Sequence, residues 1–199
     1  NDDIYSRNSY TANFYYRRNN YNLVFYNYDT ELTAETKSVP YDKKLSGYEF
    51  TPPYPNNLEE NAYEFDGWYT SPGCYNGTEM HWDSDTMPPN HLKLYAKWTP
   101  VNHKVRFFKT YTAMQQYENS SDPASTLESL KQQGLYLEER DISHGLYAGS
   151  VESPDALVEN GTAYDFAGWF YMDNGEKKAY TPLDMPVTED MDIFADWGS

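Results

Sequence analysis

The chain states one aromatic phrase twice. Residues 63–70 read Tyr63-Glu64-Phe65-Asp66-Gly67-Trp68-Tyr69-Thr70, and residues 164–171 read Tyr164-Asp165-Phe166-Ala167-Gly168-Trp169-Phe170-Tyr171. Downstream, Met87-Pro88 is echoed by Met185-Pro186, and Leu94-Tyr95-Ala96-Lys97-Trp98 by Ile193-Phe194-Ala195-Asp196-Trp197. The two tryptophans of a copy are 30 residues apart in the first and 28 in the second. Four signals in the same order make a tandem repeat, so the chain must build one small core twice rather than one large core once.

Upstream, Tyr21-Asn22-Leu23-Val24-Phe25-Tyr26 and His103-Lys104-Val105-Arg106-Phe107-Phe108 both alternate like strands. Phe25 to Trp68 is 43 residues and Phe107 to Trp169 is 62, so the second copy carries about 19 extra residues, placed in 111–141. Within them Asp122-Pro123 suits a helix start, Leu127 and Leu130 are three apart, and Gly134 suits a stop, which predicts one short helix. Tyr10-Thr11-Ala12-Asn13-Phe14 resembles Leu94–Trp98, so residues 1–20 read as the tail of a preceding repeat or a linker, and the chain as a window on a longer array. Modules of 21–99 and 100–199 follow, joined at Thr99-Pro100-Val101-Asn102, where Pro100 stiffens the link.

Two small cores need apolar mass, and the aliphatic residues do not supply it. Leu, Ile, Val and Phe total 32 of 199 residues, a share that with a net charge of −16 would suggest disorder. The 21 Tyr, 9 Phe and 5 Trp resolve this, because each ring can bury roughly 150–250 Å² and aromatic residues favour pleated surfaces. The predicted class is mainly β (α+β), with a core of rings. The excess of acid, present in both halves, argues against nucleic acid as a partner. Apolar runs as short as Leu23–Tyr26 argue against a membrane-spanning helix. A single cysteine, Cys74, excludes an internal disulfide framework and a cysteine-rich zinc site. Like-signed modules stay soluble and suggest a monomer.

Phe65, Gly67, Trp68 and Trp98, with Phe166, Gly168, Trp169 and Trp197, read as the repeated core. Strand alternation places Phe65 and Gly67 on one face and Asp66 and Trp68 on the other. The glycine either makes room for a ring across the backbone or marks a bulge. Trp68 and Trp98, ending two strands of one copy, are expected to pack together. These motifs resemble the Listeria–Bacteroides repeat, also called the internalin B-repeat, over about 21–98 and less closely over 103–197. Asp196 stands where that family has a basic residue. The resemblance implies two tandem β-grasp (ubiquitin-like) modules, the second with a helical insertion, in a secreted or wall-attached bacterial protein. It implies a spacer, stalk or adhesion segment beside neighbouring domains, and it transfers no catalytic residue.

Enzymatic motifs are lacking: there is no G-x-S-x-G elbow, phosphate loop or dinucleotide fingerprint, and acidic pairs such as Glu59-Glu60 follow from composition. The chain is therefore expected to be no enzyme, with no cofactor. His81, His91, His103 and His144 show no helical metal-ligand spacing, and Asp83-Ser84-Asp85 and Asp190-Met191-Asp192 lack the pattern of a calcium loop, so no metal is expected. The alternative function is a module that binds a host glycan or surface protein, attached to a larger secreted enzyme. Its candidate residues are Trp82, whose place in the second copy falls near Ala179-Tyr180-Thr181 and holds no Trp, and Tyr54. The 111–141 insertion is a third candidate surface, for protein docking.

Overall fold

The computed structural model describes residues 11–198. The start of the proposed preceding repeat, up to Tyr10, lies outside the described residues, and residues 11–19 form no regular element. The chain divides into two compact units, one running through Pro55 and taking up again at Phe65–Lys97, the other formed by Asn56–Glu64 and everything from Trp98 onward.

The first unit is a mixed sheet. Strand β1 (Asn20–Asn27) turns through β2 (Thr30–Glu31) and a 3-10 turn (Thr33–Glu35) into β3 (Lys37–Pro40), both strands antiparallel to β1. Tyr28 makes the tight turn with φ of +54°. Two further strands, β4 (Tyr63–Tyr69) and β5 (Leu92–Pro100), follow a long irregular stretch. β5 lies parallel to β1, pairing Phe25 with Leu94 and Tyr26 with Tyr95, and β4 flanks β5. Leu23, Phe25, Val39, Leu45, Trp68, Met87 and Leu94 are all buried to within 1%.

The second unit repeats this wiring. Strand β6 (Asn102–Phe108) is parallel to β11 (Met191–Gly198), with Phe107 opposite Ile193 and Phe108 opposite Phe194. On one side β6 pairs antiparallel with β7 (Tyr136–Ser143); on the other, β11 pairs with β9 (Thr162–Asp173), which carries β8 (Leu157–Glu159) and β10 (Glu176–Ala179). Mainly β structure with two sheets is thus observed, with two short helices placed between β6 and β7.

The insertion holds two helices, α1 (Tyr111–Glu118) and α2 (Pro123–Gln132), where the sequence reading gave one. α2 starts as expected: Asp122 accepts from the Ser125 amide at 3.3 Å and Pro123 occupies the first turn. α1 differs because its cap, Thr110, which accepts from the Ala113 amide at 3.1 Å, has no proline beside it, and its fully buried residues are only Ala113 and Met114, with Tyr117 stacked on Phe108. Together the helices bury Ala113, Met114 and Leu130 against Phe108 and Phe194 on one sheet face. The other face packs Val105, Phe107, Trp169, Tyr180, Val187 and Ile193. The 111–141 span overlaps β7, the counterpart of β3, so the helical part ends before Tyr136.

Candidate functional site

The repeated residues build an aromatic cage in each unit. Trp68 lies 4.8 Å from Phe25, 5.2 Å from Phe50 and 5.6 Å from Phe65, ring to ring, and is 1% exposed. Its indole N–H donates to the Phe50 carbonyl at 2.8 Å. In the second unit Trp169 lies 5.1 Å from Phe107 and 5.1 Å from Phe166. Phe166 also reaches Trp197 at 6.1 Å, so that phenylalanine stands between the two tryptophans of the copy. The indole N–H of Trp197 donates to the Lys109 carbonyl at 2.7 Å. Trp98 is half-buried and falls in the second unit, and the rings described around Trp68 are Phe25, Phe50 and Phe65 of the first.

Phe65 and Trp68 touch although three residues apart, which strict alternation forbids. The glycine between them explains it. Gly67 and Gly168 have φ of +98° and +134°, and the β9–β11 register slips between Asp196, opposite Gly168, and Trp197, opposite Phe166. One residue bulges out, and Phe and Trp return to the same face. A Cβ on Gly67 would meet nothing within 4 Å, so the glycine serves backbone conformation rather than clearance for a ring.

Of the proposed ligand residues, Trp82 is half-buried in a turn closed by the Asp85 amide on the His81 carbonyl at 2.8 Å. Tyr54 is 36% exposed in the irregular stretch before β4. Cys74 has its thiol 3.8 Å from the carbonyls of Tyr95 and Ala96, and burial pushes its pKa up, so it is held as a thiol.

Three features of the second unit were not read from the sequence. First, a groove of about 880 Å³ opens above Phe107 and Trp169, between β7 and residues 150–155. Arg140 lies across its wall, 5.8 Å above the Phe107 ring, donating to the carbonyls of Ala148 at 2.7 Å and Ser150 at 2.9 Å and pairing with Glu138 at 3.0 Å.

Second, a charged cluster lies under α1. Arg106 sits 3.2 Å from Glu139 and 3.7 Å from Asp192, with its guanidinium 5.2 Å above the Tyr117 ring. Lys104 bridges Glu139 at 2.8 Å and Asp141 at 2.9 Å. Lys104 and Tyr136, both hydrogen-bonded to Glu139, hold its carboxyl below the usual range. Asp192 goes the other way, its pKa pushed up to about 7 by burial first and then by the neighbouring Glu118 carboxyl. Arg106 opposes the rise, but it shares its charge with Glu139.

Third, His103 Nε2 is 2.9 Å from His144 Nδ1, and His144 Nε2 is 2.8 Å from a Glu59 carboxylate oxygen. β6–β7 pairing sets Asn102 opposite Ser143 and so brings together two histidines 41 residues apart. No linear spacing signals such a pair. His91 is occupied elsewhere, its Nδ1 accepting from the Asn22 amide at 2.8 Å. Among the described residues no group of three His, Cys, Asp or Glu side chains is placed to hold a metal ion. No helix among them is long and apolar enough to cross a membrane.

Residues 21–97 match the family model of the Listeria-Bacteroides repeat domain. None of the curated proteins compared with the chain matches it. Among solved structures, the chain is similar to streptococcal high identity repeats in tandem (SHIRT) domains 3-4 from a cell surface protein, at 13% identity, over 92% of this chain and 98% of that one, with a TM-score of 0.29. At that score the likeness carries no weight for the arrangement of this chain. The family match falls on the β1–β5 sheet and its aromatic cage, so this part of the chain is similar to a Listeria-Bacteroides repeat domain.

Proposed function

We propose that the chain is a non-catalytic repeat region of a secreted or cell-surface bacterial protein, built of two tandem β-grasp modules and working as a spacer, stalk or adhesion segment. The observation that carries the reading is the repeated wiring. In each unit the first long strand lies parallel to the last, β1 to β5 and β6 to β11, and each unit has its own ring cage. The order β7-β6-β11-β9-β10, with the first strand beside the last, supports the β-grasp reading, although helices interrupt the β6–β7 hairpin. The family whose model residues 21–97 match supports the bacterial setting.

The parallel terminal strands suggest a mechanical role. Tension applied through the chain ends loads the hydrogen bonds between first and last strand in shear, so several must break together before a unit extends. Single-molecule pulling on the whole chain tests this. Two discrete unfolding events are expected, releasing about 280 Å for residues 20–100 and about 340 Å for 102–198 at roughly 3.5 Å per residue. Gradual extension without resolved events would remove the load-bearing reading.

A second reading, a module that binds a host glycan or surface protein, is favoured by Trp82, a half-buried ring for which the second copy has no tryptophan. A glycan and host-matrix screen of the chain beside Trp82→Ala tests it; binding lost in the variant supports it, and silence across the panel leaves the spacer.

A further inference from the structure

The two units differ in the cage at two positions: Tyr180, 6.3 Å from Phe107, stands where the first unit has Met80, each amide donating to its tryptophan's carbonyl, and the place of Phe50 differs as well. In the first, the Phe50 ring lies 4.8 Å from Phe25 and 5.2 Å from Trp68, and its carbonyl takes the Trp68 indole N–H. Shared hydrogen bonds align the second unit. The Asp42 amide donates to the Met87 carbonyl and the Met87 amide to the Lys43 carbonyl; Gly145 and Val187, then Val187 and Leu146, do the same. Leu45 therefore corresponds to Ala148, both buried. Phe50 follows Leu45 by five residues, but from Ala148 to the shared Ala163 the second copy is two residues shorter than from Leu45 to Ala62. The residue that returns to the core there is Val151, three beyond Ala148.

A valine supplies no ring over Trp169. Over Phe107 and Trp169 the second unit has the groove of about 880 Å³ instead, and among the described residues the Trp169 indole N–H has no acceptor. Arg140 is committed to Glu138 and two carbonyls, while the rim residues Glu152 and Asp155 form no ion pair among the described residues. Lys109, also on the groove wall, gives its ammonium to the Ala156 carbonyl at 3.4 Å and lies 5.8 Å above the Trp197 ring, so against Glu152 and Asp155 the balance of charge at the groove is negative.

We infer that this groove docks an extended peptide from another protein, which lays one aromatic side chain over Phe107 and Trp169, gives a backbone carbonyl to the Trp169 indole N–H, and carries Lys or Arg beside the aromatic residue toward Glu152 and Asp155. The first unit shows the chemistry of the occupant, since Phe50 fills the matching space from within its own chain. A rigid two-ring floor and a preformed donor keep the ordering cost on the protein side low. The inference stands whether or not the chain also bears tension.

The test uses the whole 199-residue chain, nitrogen-15 labelled, and a synthetic peptide of residues 46–54 carrying Glu49→Lys. A saturable downfield shift of the Trp169 indole N–H is expected, with the Trp68 indole unmoved. Phe50→Ala in the peptide is expected to weaken binding at least about tenfold, or 1.4 kcal/mol, and restoring Glu49 to weaken it by a smaller factor. Val151→Phe in the chain, which supplies the ring internally, is expected to weaken peptide binding at least about tenfold. If that variant does not fold, Trp169→Phe, which keeps a ring and deletes the donor, should show the loss, read from the backbone amide shifts of Glu152 and Asp155 on the groove rim. No saturable shift at millimolar peptide, equal binding of the Phe50→Ala peptide, or undiminished binding to the chain variant that folds would overturn the inference. So would a neutral oligosaccharide such as cellohexaose producing the indole shift in place of the peptide, which would make the groove a glycan site.

Discussion

Tyr26 and Tyr95 in the first unit stand where Phe108 and Phe194 stand in the second, paired across the same parallel strands. Among the described residues no helix covers this sheet face in the first unit; the two tyrosines stack at 5.3 Å, half-buried, with the Lys93 ammonium 5.9 Å above the Tyr26 ring. In the second, α1 and α2 cover the face, and the phenylalanines are 0% and 2% exposed. One hydroxyl per residue marks the difference. A phenol at a wet face keeps its hydrogen bonds to water, whereas under the helices it would lose them. Under the insertion the aromatic face is a second small core, and on the opposite face Tyr180 packs beside Phe107 while the place Phe50 fills in the first unit is a groove.

The largest expected effect concerns the cages. Trp68→Ala should cost about 3–5 kcal/mol by urea denaturation, as large-to-small core changes do. Trp169→Ala should cost distinctly less, because Trp169 has two ring neighbours where Trp68 has three. Equal losses would mean that the missing ring is replaced by other packing.

Next is the covered face. Phe194→Tyr should cost about 1–3 kcal/mol, the penalty of a buried hydroxyl without a partner, while Tyr95→Phe should stay within about 0.5 kcal/mol of the parent. A well-tolerated Phe194→Tyr would show that the helices leave room for water.

The charged cluster predicts a pH dependence. Asp192 titrates near 7 when folded, above the ordinary carboxylate value near 3.9, so between those values the folded protein holds a proton that the unfolded chain has released. The stabilisation is complete below that window and lost as pH rises through 7. Glu139, whose pKa is lowered, has the opposite sign: its contribution is lost as pH falls below the usual glutamate range. Asp192→Asn should therefore flatten the decline between pH 5 and 8 and gain about 1–2 kcal/mol at the upper end, less than the full shift because Arg106 beside it opposes the rise. Thermal melts across that range check it, and an unchanged slope would take Asp192 out of the account.

The smallest effect is at the bulge. Gly67→Ala places a side chain at φ of +98° with open space around it, so only backbone strain is at stake, about 1–2 kcal/mol. A neutral substitution would mean that the bulge relaxes without glycine.

The sequence alone determined that the chain is a repeat, that its cores are aromatic and its elements mainly strands, that helix-forming residues follow Asp122, and that 21–98 resembles the Listeria–Bacteroides repeat. All of these are local or periodic properties, carried by neighbouring residues and recurring at fixed spacing. Tertiary structure decided what lies across long separations. The bulge at Gly67 and Gly168 overrode strand alternation and brought Phe65 to Trp68. Strand register joined His103 to His144, and the docking of α1 on β11 set Glu118 beside Asp192. The two-residue shortening after Ala148 exchanged a phenylalanine plug for a groove. A sequence pattern fixes which face a side chain prefers; which side chain it meets there depends on register and loop length, and those are selected by the packing of the whole unit.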